Sequence, residues 1–115
     1  MIKQITAMAL LAWGTAGFSA VDNAAGAAIF NDRGCTMCHQ SDADMIGPSI
    51  RTIGIRYSGN ENALVAYLKG QGQPIVYPER DAMMRPQLLK LGSLYEDEYR
   101  SLARYILQAF MRVDF

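Results

Sequence analysis

The run Cys35-Thr36-Met37-Cys38-His39 constrains this chain more than any other stretch, because it holds both cysteines and the single histidine. Two thiols three positions apart on one turn of backbone can reach two substituents on the same porphyrin edge and become thioethers. A histidine directly after them is held under the ring, where an imidazole nitrogen can bind iron. The spacing Cys-x-x-Cys-His is the sequence form of covalent c-type haem attachment. Other chemistries fit these residues less well. A thioredoxin-like dithiol sits between a strand and a helix of a βαβ unit, and no alternating or β-branched strand run is found. A structural zinc site needs four ligands, which two cysteines and one histidine cannot supply. A disulfide across three residues would close a small, strained loop and leave the histidine unexplained.

The chain opens with Met1-Ile2-Lys3, continues mostly apolar from Ile5 to Phe18 and reaches the small residues Ser19-Ala20. A basic start, a short apolar centre and small residues at the end describe a secretory signal peptide. Cleavage after Ser19 puts Gly17 at the third position before the cut and suits the small-x-small rule; cleavage after Ala20 puts Phe18 there. Residues 1–19 are thus read as a signal peptide and 20–115 as the mature domain, exported to the periplasm, where the cysteines are available as thiols for haem attachment. An uncleaved anchor would need about 20 apolar residues to span a bilayer, more than this stretch offers. The remaining length, about 95 residues, suits one domain. Eleven basic residues balance eleven acidic ones with no basic stripe, so nucleic acid is not an expected partner. No later stretch is long enough to span a membrane.

Asp22-Asn23 ahead of Ala24-Ala25-Gly26-Ala27-Ala28-Ile29-Phe30 predicts a capped, alanine-rich helix ending near Gly34, with Gly26 and Phe30 on one face. Asn60-Glu61-Asn62 starts another, carrying Leu64, Val65, Tyr67 and Leu68, and Gly70 stops it. From Gln71 to Arg85, Pro74 and Pro78 give a long irregular segment that delivers Met83-Met84-Arg85-Pro86; long loops in a compact domain are usually functional. Ser93-Leu94-Tyr95-Glu96 reads as a capping box opening a helix to about Phe110. Tyr99, Leu102, Ala103, Ile106, Ala109 and Phe110 give it one apolar face, and Glu96, Asp97 and Glu98 complement the dipole in its first turn. The expected fold class is all-α, a few short helices wrapped around one haem.

The second iron ligand follows by elimination. One histidine excludes bis-histidine ligation within a subunit. A methionine thioether, soft and neutral, is the common alternative and favours ferrous iron. Met1 and Met8 lie in the leader, Met37 lies inside the attachment motif, and Met45 follows His39 too closely to cross the ring. Met111 reads as packing on the last helix. Met83 and Met84 are left.

These residues resemble the class I cytochromes c, in particular the small bacterial monohaem proteins of the c-551/c-552 kind, over nearly the whole mature chain. Gly26 and Phe30 match the family's small and aromatic pair on the first helix. Tyr105 matches the aromatic of the last helix that packs against that pair, and a glycine there lets two helix backbones approach. The resemblance implies heme c on Cys35 and Cys38 with its iron on His39, and a Pro48 carbonyl, in Gly47-Pro48, that accepts a hydrogen bond from the proximal histidine's free nitrogen. Met84-Arg85-Pro86-Gln87 resembles the family's Met-Pro-Pro-Asn/Gln ligand loop and so selects Met84 over Met83, with Arg85 in place of the first proline. Tyr95 stands where the family has a small capping residue, with Ser93 nearby as a substitute. The tryptophan that some relatives carry in the haem pocket loop is missing, since Trp13 lies in the leader. By analogy Arg51, Arg56 and Tyr57 are partners for the haem propionates.

With His39 and Met84 on both axial positions, iron has no open site for a substrate, and one-electron transfer is the chemistry left. The implied protein is a periplasmic carrier rather than an enzyme. Its redox partners would be a donor dehydrogenase or quinol-oxidising complex and an acceptor oxidase or reductase. Two other roles stay open: a dedicated haem subunit of a larger oxidoreductase, for example one oxidising sulfur compounds, and a sensor or enzyme with a displaceable sixth ligand. The chain would accordingly work as a monomer or within a hetero-complex. In a domain this small the porphyrin supplies much of the core. The haem-free chain is therefore expected to be largely unfolded, and its circular dichroism should lack native helix content and a cooperative melt.

Overall fold

A computed structural model describes residues 18–109 of the chain; all but the last two residues of the leader read at 1–19 lie outside the described residues. Among these there are five α-helices and no strand, in agreement with the all-α expectation. They are α1 (Phe18–Asp32), α2 (Ile50–Arg56), α3 (Glu61–Leu68), α4 (Asp81–Leu88) and α5 (Glu96–Leu107). Single 3-10 turns occur at Cys35–Met37, Pro78–Arg80 and Leu89–Leu91.

The last helix is the hub. α5 packs against α1, α2 and α3, burying Tyr99, Leu102, Ala103 and Ile106 at the spacing its sequence announced. Glycine permits two of these contacts. A Cβ on Gly26 would lie 2.2 Å from the Ser101 carbonyl oxygen and 2.6 Å from Tyr105 Cβ, and a Cβ on Gly54 of α2 would lie 2.6 Å from the Ile106 carbonyl oxygen. Both distances are far below van der Waals contact, so the backbones touch only because these side chains are absent. Phe30, one turn on from Gly26, meets the Tyr105 ring at a centroid distance of 5.5 Å. The role expected of Gly26, Phe30 and Tyr105 is thus seen directly, whereas that of Gly54 was not anticipated.

Charges fasten α3 to the same helix. The Glu61 carboxylate accepts from Arg100 Nη1 and Arg104 Nε, each at 3.0 Å, and Lys69 pairs with Glu96. Burial pushes the Glu61 carboxyl upward, yet the hydrogen bonds from Arg104 and Arg100 outweigh it and hold the group below the usual carboxylate range. Asn60 caps α3 by accepting from the Ala63 N–H at 3.2 Å, and Gly70 lies beyond its C-terminus at φ 82°, as the sequence suggested.

Several local expectations differ from the structure. Helix α1 runs through Asp22-Asn23 instead of starting there, because an upstream turn supplies the partners a cap would otherwise replace. The Asn23 Oδ1 is buried without a hydrogen-bond partner. The N-cap of α5 is Tyr95, with the Glu98 carboxylate accepting from the Tyr95 N–H at 2.8 Å; Ser93 does not cap, its hydroxyl accepting from Arg33 Nη1 at 3.3 Å instead. Helix α5 ends at Leu107, and Phe110 lies outside the described residues. Helix α2 was not foreseen, although Ser49 is a conventional cap, accepting from the Thr52 N–H at 2.9 Å. The segment Gln71–Arg85 is not wholly irregular either. Its end belongs to α4, which holds Met83, Met84 and Pro86. An Asp81–Arg85 pair one turn apart supports this helix, and Pro86 has a fixed φ that suits a helix while deleting one of its hydrogen bonds.

Replacing Gly26 by alanine is expected to destabilise the holoprotein by about 1–3 kcal/mol, the usual cost of overpacking a tight contact. A fall in the urea midpoint without a change in slope would report it.

Candidate functional site

The helices surround a cleft of about 1230 Å³, a volume that includes solvent at its open mouth. Its walls are mostly apolar, with Phe30, Ile53, Leu64, Leu68, Leu102 and Ile106 among the lining side chains.

One edge is the turn that follows α1. The Cys38 and His39 N–H groups both donate to the Cys35 carbonyl, at 3.2 and 3.0 Å, which winds the two cysteines into a single turn. Both are half-buried, and both line the cleft. Burial pushes the Cys35 thiol up against the pull of Lys90.

His39 is the next wall, only 9 % exposed. Its Nδ1 lies 2.7 Å from the Pro48 carbonyl oxygen. A carbonyl can only accept, so Nδ1 carries the proton and Nε2 is the nitrogen with a free lone pair. The loop that brings Pro48 there passes against the ring. A Cβ on Gly47 would sit 2.6 Å from His39 Cε1, and the Gly47 N–H donates to the Cys38 carbonyl at 2.9 Å. Asp44 closes the loop, one carboxylate oxygen accepting from the Ser49 N–H and the other from the Tyr77 hydroxyl, both at 2.8 Å.

α3 and α4 complete the lining. Met84 is half-buried and packs on the hydrophobic core, whereas Met83 is 61 % exposed, although both reach the cleft. Cys35, Cys38, His39, Pro48 and Met84, five residues singled out from the sequence, therefore share one cavity. Of the three propionate candidates only Tyr57 lines it. Arg51 faces Asp42 at 3.9 Å, and Arg56 donates to the Ile75 carbonyl at 2.9 Å. Sequence reasoning missed Asp44 and Tyr77. Tyr77 carries a left-handed φ of 51° and is held by its bond to Asp44 and by Arg80, whose guanidinium lies 5.1 Å from the ring centroid; a tyrosine in that conformation has no local signature. The donor set fits a porphyrin iron: two thiols on one edge, an imidazole with one nitrogen already committed, and a thioether on the same apolar cavity.

The family model for cytochrome c matches residues 23–110, most of the chain. The chain belongs to the cytochrome c family. It is 27 % identical over 82 residues to cytochrome c-551 of Pseudomonas aeruginosa, covering 69 % of this chain and 71 % of that protein. To cytochrome c-551 of Azotobacter vinelandii it is 32 % identical over 50 residues, 41 % of this chain and 61 % of the relative. As a family member this cytochrome carries a covalently bound c-type haem with its iron and works as an electron carrier. Cys35 and Cys38 stand in its attachment motif. Among the described residues no helix is long and apolar enough to cross a membrane.

The Asp44–Tyr77 bond joins the loop under His39 to the segment leading into α4, and it gives the cytochrome a pH signature. Bonds from the Ser49 N–H and the Tyr77 hydroxyl hold the Asp44 carboxyl below its usual range. That contribution is present above the unfolded carboxylate pKa and lost as pH falls through the depressed value. The bond to Asp44 and the nearby negative charge raise the Tyr77 hydroxyl, so its contribution is lost as pH rises through the raised value. Tyr77→Phe should therefore lower the urea midpoint of the holoprotein between about pH 5 and pH 9, with the gap to the parent closing at both extremes.

Proposed function

We propose that this cytochrome is an exported, periplasmic one-electron carrier with His39 and Met84 as axial ligands. Residues 1–19 are its signal peptide, cut after Ser19 or Ala20, and 20–115 its mature domain. The observation that carries the reading is the meeting of both thiols, an oriented imidazole and a core-packed methionine in one apolar cleft. Cys35 and Cys38 tether the ring. Pro48 holds the His39 Nδ1 proton, which fixes the tautomer and makes Nε2 a stronger donor to iron. Met84 would supply the second ligand, its thioether favouring the ferrous state; the high exposure of Met83 makes it the poorer candidate. Bound there, the haem supplies a one-electron Fe(III)/Fe(II) couple. Apolar side chains such as Leu64 and Leu102 exclude water from the ring. With His39 and Met84 both given to iron, no coordination site would be left for a substrate, so these residues would serve electron exchange. The partners are redox proteins, a donor dehydrogenase or quinol-oxidising complex on one side and an oxidase or reductase on the other. Ile46 and Met83, both exposed and both lining the cleft, offer an apolar contact of the kind found at the centre of interfaces.

In the ferric holoprotein Met84→Ala should abolish the weak far-red band of sulfur on iron, lower the midpoint potential and open the reduced iron to carbon monoxide. Met83→Ala should leave all three unchanged. A high-spin parent, or a band that depends on Met83, would overturn the ligand assignment.

A further inference from the structure

Met84 sits on a helix that should not hold it firmly by itself. α4 has eight residues, Asp81–Leu88, with Pro86 inside it. A helix this short is marginal in isolation, and Pro86 lacks the N–H that would bond back to the Ala82 carbonyl. The resembling ligand loops have proline where this chain has Arg85, so the stiffness of a fixed φ at that position is missing too.

Arg85 instead makes a set of contacts that tie α4 to α3. Its Nε donates to Asp81 Oδ2 at 2.7 Å, its Nη1 to the Gly70 carbonyl at 3.1 Å and its Nη2 to the Gly72 carbonyl at 3.0 Å. All three guanidinium nitrogens are thus used, on three different acceptors. The guanidinium carbon also lies 5.2 Å from the Tyr67 ring centroid, and the Tyr67 hydroxyl donates to the remaining Asp81 oxygen at 2.7 Å. The carbonyls that receive the fork are themselves fixed to α3. The Gly70 N–H donates to the Tyr67 carbonyl at 2.8 Å, and the Gln71 and Gly72 N–H groups donate to the Ala66 carbonyl at 2.8 and 3.1 Å. α3 in turn supplies Leu64, Tyr67 and Leu68 to the wall of the haem cleft. A planar fork bound at three points restrains rotation of α4 about its own axis as well as its distance from α3.

That rotation matters because two methionines are adjacent. Neighbouring helical positions differ by roughly 100° around the axis, so a turn of α4 through that angle would exchange one thioether for the other. We propose that Arg85 is a positioning residue that fixes the orientation of α4 and thereby presents Met84, rather than Met83, to the haem iron. The inference rests on the reading of Met84 as the axial ligand and adds to it the residue responsible for the choice.

The test compares ferric holoproteins: the parent, Met84→Ala, Arg85→Gln, Arg85→Lys and the double variant Arg85→Gln/Met84→Ala. The readouts are the far-red sulfur band and the affinity for imidazole, which competes with the thioether for iron. Arg85→Gln should weaken the band and raise apparent imidazole affinity on the order of tenfold, as expected when the presented state loses population. Lysine keeps the charge but cannot bridge the three acceptors, so Arg85→Lys should fall between parent and glutamine variant. The double variant should regain part of the sulfur band through Met83, which Met84→Ala alone does not. Melting temperature is read in parallel, because a purely structural arginine would lower it without moving imidazole affinity. If Arg85→Gln does not yield a folded holoprotein, Arg85→Lys and Tyr67→Phe carry the same readouts with smaller expected changes. A parent band that survives Met84→Ala overturns the ligand reading and this inference together. A band that requires Met84, with imidazole affinity and band intensity unmoved in the Arg85 variants, overturns this inference alone.

Discussion

The hydrogen bond from His39 Nδ1 to the Pro48 carbonyl, 2.7 Å long, sets conditions that spread through half the molecule. To deliver that carbonyl, the chain must turn back beneath a buried ring within nine residues. Only glycine at 47 clears the imidazole, and Asp44 must accept from the Ser49 N–H to close the turn. Ser49, placed by that closure, has its hydroxyl free to cap α2. α2 then seats on α5 through Gly54. One buried imidazole that needs its tautomer fixed thus leads, through short-range hydrogen bonds, to the packing of a helix more than a dozen residues away.

The crossing of α1 and α5 meets the same ring from behind. Phe30 stands between His39, at a ring-centroid distance of 6.3 Å, and Tyr105, at 5.5 Å, so the aromatic that fills the crossing also supports the His39 imidazole. Tilted rings at these distances are favourable beyond their buried area. Because Gly26 lets α1 lie directly on the backbone of α5, the attachment turn that follows α1 inherits a position set by that close backbone contact.

The other side of the cleft is held in a different way. Around His39 the fastening is backbone to side chain and short in sequence, whereas around Met84 it is a set of charged and aromatic groups drawn from α3, α4 and the segment between them. Burial and donation to Asp81 raise the Tyr67 hydroxyl well above an ordinary phenol, and bonds from Arg85 and Tyr67 hold the Asp81 carboxyl below its usual range. Each group therefore stabilises the protonation state that its partner needs. Substituting an arginine for a proline exchanges covalent stiffness for a restraint made of hydrogen bonds, and such a restraint depends on every member of the set.

How much of this was legible follows from the distance over which each feature is decided. The attachment motif, the all-α class, the apolar face of α5, the start and stop of α3 and the pairing of Gly26 and Phe30 with Tyr105 are written in residue types at fixed spacing, because covalent reach, helical period and capping chemistry act over a few residues. The narrowing to Met83 and Met84, which is part of the proposal, rests on the single histidine and on where the other methionines fall along the chain. The sequence by itself therefore determined what the protein holds and the two cysteines of its attachment motif. Tertiary structure decided the rest. Whether Asp22-Asn23 or Ser93 caps depends on what the neighbouring chain already satisfies. That the methionine segment is a helix depends on Asp81 finding a donor on α3 and on Arg85 finding carbonyl acceptors just beyond it. The Asp44–Tyr77 bond spans 33 positions, and its partners carry no mark of each other until the fold brings them together.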